Sequence, residues 1–222
     1  MPHEGLYQVQ QPHTALVVVD MQNDFVDPAG ALAVPHALAI LEPIAALIQA
    51  ARLASTPIAY TMDWHPPRTR HFQPWGGRWP VHCVAETWGA RLHPGLPIAG
   101  PCFKKGMGQE DGYSGWSARC EEHASQWGMT GDTPVLLGAW LGQLAVRMVV
   151  ITGVAIEYCV AATAADALEA GLAVVIPLDC CAAVDLAAGR VALERLAQKG
   201  AVLLDEDDRD GLPRHAAGPG EY

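Results

Sequence analysis

Gly153-Val154-Ala155-Ile156-Glu157-Tyr158-Cys159-Val160 decides how this chain is read, because it puts a cysteine where an apolar strand turns abruptly into a helix. The run before it, Val146 to Thr152, is apolar and β-branched, the pattern of a parallel strand buried on both faces. The run after it, Val160 to Ala170, is rich in alanine and other helix formers. A thiol at such a junction faces the free N–H groups and the positive dipole end of the new helix. Both favour thiolate, the nucleophilic form. A lone cysteine there is by default a small core residue, so the reading depends on what the rest of the chain supplies.

Working outward, the same alternation recurs. Ala15-Leu16-Val17-Val18-Val19 reads as a strand ending at Asp20, and a helix through Leu38, Ile40, Leu41, Ile44 and Leu47 follows a loop. Pro57 to Met62 is a second strand, ending at Asp63, and a short strand near Pro101-Cys102-Phe103-Lys104 leads to Lys105-Gly106. A helix over Val135 to Leu144 precedes the strand–helix junction at Cys159. Leu172 to Pro177 is a further strand, Leu186 to Gln198 a further helix, and Ala201 to Leu204 a last strand. Alternation of this kind implies right-handed crossovers, hence a single α/β domain over residues 1–222 with a mostly parallel sheet covered by helices on both faces. In such sheets ligands sit beyond the carboxyl ends of the strands. Asp20, Asp63, Lys105 and Cys159 all fall at or just after such ends.

Composition excludes several classes. A formal charge of −10 argues against nucleic acid, whose phosphates require a basic face. No apolar run approaches the roughly 20 residues that span a bilayer, so no membrane partner is expected. Met1-Pro2-His3-Glu4-Gly5 shows no basic segment leading into a hydrophobic one, so no signal peptide and a cytoplasmic location are expected. The six cysteines have no Cys-x-x-Cys spacing and read as reduced thiols, with Cys180-Cys181 structural. Residues 205–222, opening on Asp205-Glu206-Asp207-Asp208, read as a solvated acidic tail.

The segment from about 63 to 100 is rich in Trp, Pro, Gly and His without periodicity, and long structureless stretches inside compact domains tend to be functional. It opens on Asp63-Trp64-His65, with His71 and His82 further along. A carboxylate and imidazoles suit Zn²⁺, Fe²⁺ or Mn²⁺, although histidines in a polar loop are more often merely solvated. A thiol nucleophile also requires a group to move protons and donors for an oxyanion. Asp20 can be the first, Lys105 can stabilise thiolate and carboxylate, and the backbone N–H groups of Ala155 and Cys159 can be the donors. Taken singly, Asp20 fits a turn residue and Lys105 a surface lysine better.

Together they resemble a known family. Val19-Asp20-Met21-Gln22-Asn23-Asp24-Phe25, Lys105-Gly106 and the stretch Gly153 to Val160 resemble the three catalytic blocks of the isochorismatase-like cysteine hydrolases. Within that superfamily, Asp63-Trp64-His65, Trp79-Pro80-Val81-His82-Cys83-Val84 and Gly30-Ala31-Leu32-Ala33-Val34-Pro35 resemble segments of the nicotinamidases, also called pyrazinamidases. The likeness runs in the family's order from about Ala15 to Asp185.

The resemblance implies a three-layer α/β/α fold and hydrolysis of nicotinamide, or pyrazinamide, to the acid and ammonia through a thioester, as part of NAD salvage. It implies Asp20, Lys105 and Cys159 as a catalytic triad, with Asp63, His65 and His82 as ligands of one divalent metal, zinc first and iron or manganese otherwise. His71 is a fourth ligand in some members. Phe25 and Trp79 would sandwich the pyridine ring with Tyr113 nearby, and the metal would bind the ring nitrogen. The Val154–Ala155 peptide would be cis. A homo-oligomer is left open. Ile156-Glu157 departs from the family's usual Thr/Ser-Asp beside the nucleophile, which bears on substrate range. Two alternatives stand beside this reading: a related amidase acting on another small carboxamide, and a non-catalytic metal-binding protein on the same scaffold.

Overall fold

The computed structural model describes residues 6, 8–109, 112–121, 127–129 and 134–205. The expected acidic tail lies outside the described residues apart from Asp205, as do Glu110 and Asp111 of the loop after Lys105. The central strand, β1 (Thr14–Val19), is buried along its whole length. Its side chains alternate between two apolar clusters: Leu16 and Val18 point to one face, and Ala15, Val17 and Val19 to the other. That is why the run is apolar at every position rather than at every second one.

Two parallel series of strands grow from β1 in opposite directions. On one side lie β2 (Ile58–Asp63) and β3 (Cys102–Lys105), and then the short antiparallel edge strands β4 (Arg119–Cys120) and β5 (Val135–Leu136). On the other side lie β6 (Met148–Val154), β7 (Ala173–Pro177) and β9 (Val202–Leu204), all parallel, with β8 (Cys181–Ala182) pairing along the end of β6. The strand order therefore reverses between β1 and β6. A crevice opens beyond their carboxyl ends at such a reversal, and Asp20 and Cys159 follow those two strands.

The helices cover both faces. α1 (Asn23–Val26) is a single turn after β1, and α2 (Leu41–Leu53) buries Ile44, Leu47 and Ile48 against the Leu16/Val18 face. The opposite face takes α3 (Leu137–Gln143), α4 (Ala161–Glu169) and α5 (Leu186–Gln198) through Trp140, Leu141, Ala164, Ala167 and Leu196. No described helix is long and apolar enough to cross a membrane.

Two expectations shift. The helix read over Val135 to Leu144 begins at Leu137, because Val135 and Leu136 pair with β4. The helix after Cys159 begins at Ala161, because Ile156–Val160 forms a wider π turn in which the Val160 N–H donates to the Ala155 carbonyl. Gly153 makes that corner: its φ is +110°, and a Cβ there would collide with the Val19 carbonyl of the neighbouring strand. The Val154–Ala155 peptide that follows is cis, as the resemblance implies.

Candidate active site and metal centre

A small cavity of about 30 Å³ opens at the strand reversal. Asp63, His71, His82 and Cys159 line it together with Phe25, Trp79, Tyr113 and Tyr158.

Lys105 organises its floor. At the end of β3, buried, its Nζ lies 2.8 Å from Asp20 Oδ2 and 3.3 Å from Cys159 Sγ, and it also donates to Asp63 Oδ1. Burial opposes the lysine's charge, but Asp20, Asp63 and Cys159 outweigh it and hold the ammonium well above its usual pKa. Burial likewise opposes the charge of Asp63, and there Lys105 and His65 prevail, holding that carboxyl below the usual range. At Asp20 burial wins over Lys105, and its pKa is raised. The Asp20 backbone sits in the left-handed region at φ 51°, and Thr61 Oγ1 donates to its Oδ1 at 2.6 Å.

Cys159 differs from its sequence expectation. The helix dipole and N–H groups argued for thiolate, yet burial pushes the thiol well above its ordinary pKa, and Lys105 only partly offsets this beside Asp20 and Asp63. This direction favours the protonated sulfur at rest. An ammonium flanked by two carboxylates and a thiol can move that proton to Asp20 once the sulfur acquires an electrophile.

The segment expected to be long and irregular is tied down by its own backbone. His65 bridges to Val84, Phe72 to Trp79, and Gln22 to Leu92. Fully buried Phe72 packs with the rings of His65, His71 and His82 at 5.3, 5.8 and 5.4 Å. Asp24 ties α1 to the loops, accepting from the Ala31 N–H at 3.0 Å and the Cys83 N–H at 2.7 Å. These contacts bring together histidines that are 17 residues apart in sequence, from 65 to 82.

The donor set fits a divalent cation. The nitrogens of His65, His71 and His82 lie within 4.8 Å of one another. His65 Nδ1–H donates to the Gly106 carbonyl and His82 Nδ1–H to the Pro80 carbonyl, both at 2.8 Å, which leaves each Nε2 as a lone pair. His65 Nε2 is buried without a hydrogen-bond partner, and Asp63 Oδ2 stands 3.6 and 3.9 Å from the Nε2 atoms of His65 and His82. Burial lowers the His82 pKa to about 4, so the ring is neutral at physiological pH, as a ligand must be. Gly106 belongs to this centre too: its φ is +66°, and a Cβ there would strike the His65 imidazole.

All three expected aromatic residues border the cavity. Phe25 lies 5.5 Å from the His82 ring, and Trp79 Nε1 donates to the Tyr113 hydroxyl at 3.0 Å. The Tyr113 segment is pinned to α4, with Gly115 N–H donating to Thr163 Oγ1 and Ser114 Oγ to Asp166 Oδ2. Sequence reasoning missed Tyr158, whose ring stands 5.0 Å edge-on to Trp79 and 5.6 Å from Tyr113. Its place next to Cys159 was the available signal. Ile156 and Glu157 do not line the cavity. Ile156 joins the core, and Glu157 Oε1 accepts from the Asp185 N–H at the start of α5. The departure from the family pattern therefore bears on how the turn is supported. Cys180 and Cys181 are buried, and burial pushes Cys181 up to about 12, in keeping with a structural role.

The isochorismatase domain model matches residues 14–110 and 125–208, most of the chain and every cavity residue named above except Tyr113. The chain belongs to the isochorismatase family. Among family members, it is 35% identical over 196 residues to a nicotinamidase of Acinetobacter baylyi, covering 80% of this chain and 85% of that protein. It is similar to the crystal structure of a pyrazinamidase of Pyrococcus horikoshii in complex with zinc, with a TM-score of 0.75 and 34% identity over 87% of this chain and 99% of that one. It is also similar to PnC1 from L. infantum in complex with nicotinate, with a TM-score of 0.74 and 36% identity over 86% and 92% of the two chains.

Proposed function

We propose that this chain is a metal-dependent nicotinamidase, converting nicotinamide and water to nicotinate and ammonia within cytoplasmic NAD salvage. The observation that carries the reading is Lys105, which joins the Asp20–Cys159 pair to Asp63 and so places the nucleophile beside a cation-binding cluster. The alternative of another small carboxamide is less favoured, because Asp63-Trp64-His65 and Trp79-Pro80-Val81-His82, the two segments that resemble those of nicotinamidases, are both present here. The filled Asp20–Lys105–Cys159 set weighs against a non-catalytic binding protein.

Asp63, His65 and His82, with His71, would hold zinc, or iron or manganese. Such an ion, when bound, supplies a Lewis acid for the ring nitrogen and so orients the substrate. Phe25 and Trp79 flank the ring, and Tyr113 and Tyr158 complete the wall. Cys159 Sγ attacks the carboxamide carbon while Asp20 takes the thiol proton. Lys105 stabilises the sulfur and the carboxylate electrostatically. The N–H groups of Ala155 and Cys159 receive the oxyanion, a contribution on the order of 3 kcal/mol for each donor. Asp20 then protonates the nitrogen, the C–N bond breaks, and ammonia leaves a thioester on Cys159. Water attacks the thioester as Asp20 accepts its proton. The C–S bond breaks to release nicotinate, and the sulfur regains a proton from Asp20.

The test is ammonia release across nicotinamide, pyrazinamide and two non-aromatic amides, with metal analysis of the same sample. Selective turnover of the pyridine and pyrazine amides by metal-containing protein is the expected result. Turnover confined to non-aromatic amides would overturn the reading.

A further inference from the structure

One charged side chain at the cavity takes no part in the chemistry above. Arg78 is exposed and precedes Trp79, and its guanidinium carbon lies 5.0 Å over the Trp79 ring and 5.6 Å over the Tyr158 ring. Its Nη2 donates to the Tyr158 hydroxyl at 2.9 Å. One planar cation thus touches two aromatic residues brought by separate parts of the chain, one on the long loop and one beside the nucleophile. Arg78 does not itself line the cavity, whereas both of its partners do. Trp79 is further tied to Tyr113, so a single guanidinium joins a wall of three rings.

We propose that Arg78 is a positioning residue that latches Trp79 to Tyr158 and so fixes the width of the slot that receives a planar heteroaromatic amide. Cation–π attraction and the directed hydrogen bond act together here. Without them, no charged side chain among the described residues ties the loop bearing Trp79 to the turn bearing the nucleophile. The wall meets the ring equally in the bound substrate and in the transition state, so losing the latch weakens binding and leaves the chemical step nearly intact. This consequence for nicotinamide rests on the function proposed above.

The test compares wild type, Arg78→Ala and Arg78→Lys as full chains, by steady-state kinetics and by the Trp79 indole N–H signal in a ¹⁵N spectrum, assigned with Trp79→Phe. In R78A, the nicotinamide KM should rise about tenfold with kcat within twofold, and the indole signal should shift, while the melting temperature stays within a few degrees of wild type. In R78K, the ammonium keeps the ring-face attraction, so KM should stay within about threefold of wild type and the indole signal close to its original place. If wild type hydrolyses nicotinamide and R78A leaves KM unchanged, the latch is wrong and the nicotinamidase reading stands. If wild type does not hydrolyse nicotinamide, that reading fails and the indole signal alone decides the latch. A signal unmoved in R78A overturns the proposal whatever the kinetics.

Discussion

The Gln22 carboxamide clasps both backbone polar groups of Asp63: its Oε1 accepts from the Asp63 N–H at 2.8 Å and its Nε2 donates to the Asp63 carbonyl at 2.7 Å. The same Nε2 donates to the Ala90 carbonyl at 2.8 Å, and Gln22 is fully buried. One side chain beside Asp20 therefore sets the backbone of the only carboxylate among the proposed metal ligands. Gln22→Ala would strand three buried backbone groups, at about 1–3 kcal/mol for each one left unsatisfied. The expected outcome is a melting temperature lower by several degrees and metal affinity reduced by roughly ten- to a hundredfold, read by calorimetry and metal titration.

Cys159→Ala removes the sulfur and little buried volume. Ammonia release should fall at least about a hundredfold if catalysis is covalent, with melting temperature and metal content unchanged. Residual activity above that level would mean that the thiol is not the nucleophile.

His82→Ala, or chelation of the wild type, should strip the metal and act mainly on substrate binding. Bound metal per chain should drop and the nicotinamide KM should rise at least about tenfold, in line with a positioning role. Full activity of a protein verified to be metal-free would refute the ring-nitrogen role.

Thr61→Val tests Asp20 through pH. The Thr61 hydroxyl donates to Asp20 Oδ1 and favours the carboxylate, while burial already raises the Asp20 pKa above the ordinary value. Removing the donor raises it further. Asp20 must be ionised to take the thiol proton, so activity is lost as pH falls through that pKa. The acid limb of the kcat/KM profile should accordingly move up by about one pH unit. An unmoved limb would mean that another group controls it.

The positions at strand ends were legible in the sequence because apolar runs end sharply at Asp20, Asp63 and Lys105, and because Gly153 marks the corner before Cys159. The short edge strands were not, since two residues such as Arg119–Cys120 carry no periodicity. The upward push of burial on the Cys159 thiol was not legible, because the helix terminus is visible in sequence and the depth of burial is not. Tyr158 and Arg78 escaped for a related reason. Their partners come from distant segments, and only the folded loop shows that Arg78 reaches across to Tyr158.

Phe72 and the bridges around it give the long loop a small core of its own, held to the sheet largely through Gln22, Asp24 and Asp63. The thiol and the imidazoles thus rest on different supports: Cys159 follows a strand of the sheet, whereas His65, His71, His82 and Trp79 sit on a loop with packing of its own. Part of recognition, that carried by Trp79 and the imidazoles, can then drift through substitutions within residues 64–100 while Asp20, Lys105 and Cys159 stay unchanged. Descendants of such a chain would keep the same hydrolytic engine and change what it accepts.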